Sequence, residues 1–251
     1  MPMTNFNLFY ESANNVPAPY HFESLIRFIG FGTPEASLEV EIQYTDREDF
    51  SKEELIAEGL PTEETWSWKG SISSAWQQRL AARFDTYKSG SCKPRDEEPF
   101  IMLEYPNSTT KVPRMLEIEE NLIQEFIQSI FETAGRELPL FLGFQFKNEL
   151  DEWVRIEGEL SFENLTFTYQ ESGSVLKTIS DWDRLQALMN TVYIADFQAD
   201  KAKEELKSTH SFAVYPGDGL WYVAGDSLRK PAGNNRYFDG LENSLRELFK
   251  S

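Results

Sequence analysis

The sequence predicts an α+β fold, a largely antiparallel sheet of hairpins and meander with three to five helices packed on it. Three observations lead there. Several short segments alternate apolar and polar side chains, as strands do when one face meets a core and the other meets water. Connectors as short as "EN" and "SGS" join some of them, which is hairpin length. The stretch "EIEENLIQEFIQSIFETAGRE", by contrast, repeats its apolar residues at helical period.

Along the chain, "FNLFY" (Phe6–Tyr10) reads as the first strand, followed by the polar connector "SANNVPAPY". "FESLIRFIGFG" is strand-like without clean alternation, which predicts burial on both faces. In "SLEVEIQYTD" the pattern is clean: Leu38, Val40, Ile42 and Tyr44 face one way, Glu39, Glu41 and Gln43 the other. Ser51 and Glu54 form a capping box that opens a short helix, which Gly59 can end. "TWSWKG" places Trp66 and Trp68 on one strand face. Ser74 with Gln77 is a second capping signature, for a helix that carries Trp76, Leu80 and Phe84 and closes at Gly90. A loop containing Pro94 and Pro99 then leads to "FIMLEY", read as a central strand, and to a second loop, "PNSTTKVPR".

The next helix is the most strongly patterned. Ile118, Leu122, Ile123, Phe126, Ile127, Ile130 and Phe131 form its stripe, and Gly135 ends it. A meander follows in "LPLFLGFQFK", "EWVRIEGELSF", "LTFTYQE" and "SVLKTI". Ser180, supported by Asp183, caps a helix over 180–195, and the charged continuation "QADKAKEELK" reads as helical too. Strands flank Gly217-Asp218-Gly219, a turn that asks for positive φ. A phosphate-binding loop would need a helix with Lys and Ser/Thr after the glycine, and Leu220, Trp221 and Tyr222 stand there instead. "LENSLRELFK" makes a last amphipathic helix through Leu241, Leu245 and Leu248. The expected organisation is one α+β domain over residues 1–251, with a weak division, if any, near 106–114. A shared strand–loop–strand rhythm in the two halves does not amount to a convincing repeat, because antiparallel sheets produce such rhythm by themselves.

The composition narrows the function classes. Of 251 residues, 40% are hydrophobic and 14% aromatic, which argues for a folded core and against disorder. A formal charge of −18 repels phosphate backbones, so nucleic acid is not an expected partner, whereas a basic protein is. The first residues lack the basic and apolar regions of a signal peptide, and no run approaches the roughly 18 apolar residues of a membrane span. The expectation is therefore a cytoplasmic protein without membrane contact. The single cysteine, Cys92, lies in a polar loop beside Lys93 and Arg95 and permits neither an internal disulfide nor a multi-cysteine zinc site. His21 and His210 have no ligand spacing, and no nucleophile elbow is present. No metal or cofactor is expected, and the inventory leans against an enzyme.

Two sets of candidate residues remain. Glu39 with Glu41, and Glu157 with Glu159, place carboxylates about 7 Å apart on strand faces, a spacing suited to acid/base work. With strand tryptophans 66, 68, 153 and 221 as a platform, they define one reading: a carboxylate-dependent hydrolase or a carbohydrate-binding protein. The favoured reading is a non-catalytic acidic protein-interaction module, such as an immunity-like neutraliser of a basic toxin or effector, or an adaptor. Its binding residues would be whichever of Trp221 and Tyr222 is accessible, since neighbours on a strand point to opposite faces, together with Arg229, Lys230 and Arg236 in the long loop that follows. The basic, proline-containing loops at Lys93–Arg95, Lys111–Arg114 and Arg229–Pro231 would form a positive spot if the fold gathered them.

Overall fold

A computed structural model describes residues 5–84, 99–106, 108–111, 117–207 and 210–250. The expectations for Cys92 and its neighbours Lys93, Pro94 and Arg95, for Gly90, for residues 112–114 and for the side chains of Lys111 and Ile118 fall outside what is described. The fold is α+β, and every ladder between the described strands is antiparallel. The chain packs as two compact units, Met1–Arg136 and Glu137–Ser251, so the stretch 106–114 lies inside the first of them.

The first unit runs β1 (Asn5–Glu11), β2 (Phe22–Ile29), β3 (Ser37–Tyr44), α1 (Lys52–Ala57), β4 (Thr65–Ser71), α2 (Ser74–Phe84), β5 (Phe100–Tyr105), β6 (Ser108–Lys111) and α3 (Glu117–Thr133). Its sheet has the order β4-β3-β2-β1-β5-β6. Alternation decides which face is core. Phe6, Leu8 and Tyr10 of β1, Ile26 and Phe28 of β2 and Leu38, Val40 and Ile42 of β3 are buried. On that face Phe28 stacks on Phe126 of α3 at 5.7 Å, Phe6 meets Phe84 of α2 at 5.9 Å and Trp66 meets Phe131 at 5.2 Å. The described part of the α3 stripe behaves as its period predicts, with Leu122, Ile123, Phe126, Ile127 and Ile130 buried. Strand β2 departs from the expectation. Its second face, with Glu23, Leu25 and Arg27, is only half-buried, and Ile29 is exposed.

The starts of α1 and α2 are legible to within a residue, whereas the last helix of the chain begins at Tyr237, four residues before the expected Leu241. The Ser51–Glu54 capping box forms as expected. For α2 the cap is Ser73, whose hydroxyl accepts from the Trp76 amide at 3.3 Å, one position before the expected Ser74. Gln77 reaches out instead, accepting from the Gly32 amide at 2.9 Å and so tying α2 to the β2–β3 turn.

The second unit runs β7 (Leu140–Lys147), β8 (Trp153–Ser161), β9 (Thr166–Glu171), β10 (Lys177–Ile179), α4 (Trp182–Tyr193), β11 (Asp196–Phe197), β12 (Ala213–Tyr215), β13 (Tyr222–Val223), β14 (Leu228–Arg229) and α5 (Tyr237–Leu248). Its main sheet has the order β10-β9-β8-β7-β12-β13, and β11 pairs with β14. Phe249, at the end of α5, packs against Phe144, Phe146, Phe167 and Tyr169. The Tyr237 hydroxyl joins α5 to α4 by donating to the Thr191 carbonyl at 2.9 Å. Asp181, not Ser180, caps α4, its carboxylate accepting from the Arg184 amide. The expected helix over "QADKAKEELK" is not formed: Ala199–Lys201 make one 3-10 turn and Lys203 then bridges to Trp221. That segment has no apolar stripe to bury, so nothing favours continuing the helix. The first segment of the meander's last strand is also lost, since Val175 and Leu176 are exposed and only Lys177–Ile179 pairs.

Both sheets follow one plan. Four strands run outward in chain order from the central strand to an edge. A helix follows the fourth strand, two further strands add on the other side of the central one, and a last helix closes the unit. The rhythm common to the two halves of the sequence is not its trace, since it sets β2 and β3 beside β7 and β8, whereas the plan matches β2 and β3 to β8 and β9.

Candidate protein-interaction face

The β12–β13 hairpin pairs Ala213 with Val223 and Val214 with Tyr222, and its turn glycines Gly217 and Gly219 have φ of 111° and 92°. The hairpin reading therefore holds. The expectation that Trp221 or Tyr222 is accessible does not, since both are buried, at 2% and 1% exposure. The two side chains do point to opposite faces, but each face has a cover. Tyr222 packs edge-on against Phe197, and its hydroxyl donates to the Asp218 carboxylate. Trp221 lies over the bare backbone of Gly143, where a Cβ would come within 2.7 Å of its ring. Tyr215 flanks it at 5.5 Å, and the Arg155 guanidinium lies 4.6 Å from its ring centre. Arg229, Lys230 and Arg236 are exposed, with Arg229 in β14 and Lys230 donating to Asn235 at 2.6 Å.

Three of the four expected carboxylates are held by cations. Glu39 accepts from Lys69 at 2.6 Å, Glu41 pairs with Arg27 at 2.8 Å and Glu157 with Arg155 at 2.7 Å. The Lys69 hydrogen bond holds the Glu39 carboxyl below the usual carboxylate range. Glu159 is exposed on β8. Trp66 and Trp68 share the core-side face of β4, half-buried, and the Arg136 guanidinium lies 4.9 Å from the Trp66 ring centre. Among the described residues no group of three or more His, Cys, Asp or Glu is placed to hold a metal ion. His21 is buried with its Nδ1 2.5 Å from the Thr45 hydroxyl and 3.6 Å from Asp46, so both neighbours compete for one ring nitrogen.

A different surface stands out, on the face of the first sheet turned away from α2 and α3. Its register sets three rows. One is polar and internally paired: Asn7 donates to Glu104 at 2.9 Å, and Arg27 bridges toward Glu39 and Glu41. The middle row has an apolar centre, with Leu25 opposite Phe9 and Phe9 opposite Met102, all half-buried, and is flanked by Glu41 opposite Leu25 and Lys111 opposite Met102. In the third row Glu11 stands directly opposite Glu23, flanked by Phe100 and Gln43. Neither the Glu11 nor the Glu23 side chain has a hydrogen bond or ion pair among the described residues. A groove of about 530 Å³ opens here, lined by Phe9, Leu25, Glu23, Glu41 and Gln43 and bordered by Thr65–Ser67 of β4.

No family model, curated protein or solved structure matches this chain. The site therefore rests on its own geometry. No helix among the described residues is long and apolar enough to cross a membrane.

Sequence reasoning passed over this face because it searched for carboxylates two apart on one strand. The carboxylates without a side-chain partner among the described residues, Glu11 and Glu23, are instead neighbours across strands, and register alone brings them together. A signal was present in β2. Leu25 between Glu23 and Arg27 is an apolar residue on a polar face, the feature that spoiled the alternation there.

Proposed function

We propose that the protein is a non-catalytic, acidic protein-interaction module whose partner is a basic protein, for example a toxin or effector that it neutralises, or a component that it adapts. The observation that carries this reading is the half-exposed sheet face on which an apolar cluster borders carboxylates that have no side-chain partner among the described residues. An apolar centre supplies affinity when it is desolvated, and the charged border supplies steering and discrimination. The chain's charge of −18 extends the same field over the whole molecule. A carboxylate-dependent hydrolase has less support, because Glu39, Glu41 and Glu157 are each neutralised by a neighbouring cation.

The test is affinity capture on the immobilised protein at low and at high salt, followed by purification of whatever binds and measurement of its association rate. The expected result is a basic protein that forms a saturable complex and associates more slowly as salt rises, because screening shortens the range of the steering field. Recovery of acidic proteins only, or an association rate indifferent to salt, would remove the reading.

A further inference from the structure

The row containing Glu11 and Glu23 sets two carboxylates side by side. The two residues are direct cross-strand partners and their side chains leave the same face. Like charges so placed destabilise a sheet. Their other neighbours in the row, Phe100 and Gln43, bring no cation. One row away, Phe9 and Leu25 present an apolar pair, and the groove of about 530 Å³ connects the two rows.

The second unit shows how the same architecture looks when covered. There the face turned away from α5 carries Trp221 over Gly143, and the guanidinium on that ring, Arg155, is held by Glu157 at 2.7 Å. Apolar contact, cation and carboxylate are all supplied by the chain itself. In the first unit the apolar pair and the carboxylates are present, and a cation for Glu11 and Glu23 is not among the described residues.

We propose that this face of the first unit is the docking site for a basic segment of a protein partner, which lays an arginine or lysine stem across Phe9 and Leu25 and sets its charge against Glu11 and Glu23. The inference rests on the basic-partner reading above and places it. Charge complementarity selects this occupant: long basic side chains cover apolar surface with their stems while their heads stay polar, whereas a second copy of a chain of charge −18 would bring more anions. On this reading the face keeps two carboxylates side by side for a partner's cation, with none supplied among the described residues.

The experiment uses the full chain and, as probe, a fluorescent peptide of alternating arginine and leucine, read by anisotropy, with an alternating glutamate–leucine peptide for comparison. The double variant E11Q/E23Q is set against E204Q/E205Q, which removes the same charge from an exposed pair in the second unit. Expected is a loss of about ten-fold in affinity for E11Q/E23Q, as for two partly desolvated charge pairs, and less than about two-fold for the control. The same E11Q/E23Q protein should melt about 1–3 °C higher, because the repulsion is gone. Leu25→Lys, which puts a cation into the apolar row, should abolish binding independently. If E11Q/E23Q binds like its control, the docking site is overturned and the basic-partner reading stands. If the arginine–leucine peptide binds no better than the glutamate–leucine peptide, both are overturned.

Discussion

Three phenols are buried deeply enough to couple stability to pH. Tyr10, Tyr222 and Tyr237 are 2%, 1% and 2% exposed, and burial, the leading cause in each case, pushes each hydroxyl up to about 12. For Tyr222 the hydrogen bond to Asp218 adds to it, since a phenolate beside a carboxylate is doubly unfavourable. An ordinary tyrosine ionises near pH 10. The folded value lies above the unfolded one, so the stabilisation is complete below about pH 10 and is lost as pH rises from there through 12. In an alkaline titration followed by tyrosinate absorbance, a first rise near pH 10 should be reversible, without Tyr20 and Tyr193, which are exposed but have their hydroxyls pushed up. A second rise should coincide with loss of the circular dichroism signal, and Tyr237→Phe should reduce its amplitude by one residue. If all the tyrosines ionise together while the fold persists, these burials do not govern alkaline stability.

At the scale of elements, α3 is the clearest case of a segment whose sequence already contains its packing. Phe126, 1% exposed, stacks on Phe28 and lies 5.1 Å from Trp76, so it joins α3 to β2 and to α2 at one point. Phe126→Ala should cost about 3–5 kcal/mol, because that rigid surround leaves a cavity where the ring was. Urea unfolding of the full chain would show it as a lower midpoint for the transition that reports the first unit. A cost below about 1 kcal/mol would mean that the site collapses around alanine. This helix was legible because a stripe of period 3.6 can be satisfied only by packing one face. The strands of alternating pattern were legible for the same reason. What escaped was decided by contacts between distant residues. Trp221 is buried because Gly143, far away in the chain, leaves room for it, and past the 3-10 turn of Ala199–Lys201 the chain pairs Lys203 with Trp221. Periodicity is local and carries no information about such partners. The docking face was half legible: Leu25 broke the alternation of β2, but only the register of β1 on β2 sets Glu11 opposite Glu23.

For the molecule as a whole, the repeated strand order matters more than any single contact. It was hidden in the sequence because a topology is specified by burial pattern and turn placement, not by residue identity. The central strand is "NFNLFYE" in one unit and "LFLGFQFK" in the other, and the edge strands β4 and β10 differ in length as well, at seven and three residues. Each unit owns a sheet, a helix after its fourth strand and a closing helix, which is the complement of a self-sufficient domain. Between them the chain leaves α3 through backbone bonds from Gly135 to Glu132 and from Arg136 to Phe131, and then exposes Leu138 at 87%. A specific protease sequence introduced between Glu137 and Pro139 should therefore be cut in the native protein without prior unfolding. The fragments, separated in denaturant and returned to buffer one at a time, should each recover a β-rich spectrum and unfold cooperatively, since each buries its own aromatic cluster, around Phe28 and Phe126 in the first and around Phe249 in the second. A fragment that stays unfolded alone would show that its core is incomplete without the other half, and that the repeated plan describes topology but not autonomy.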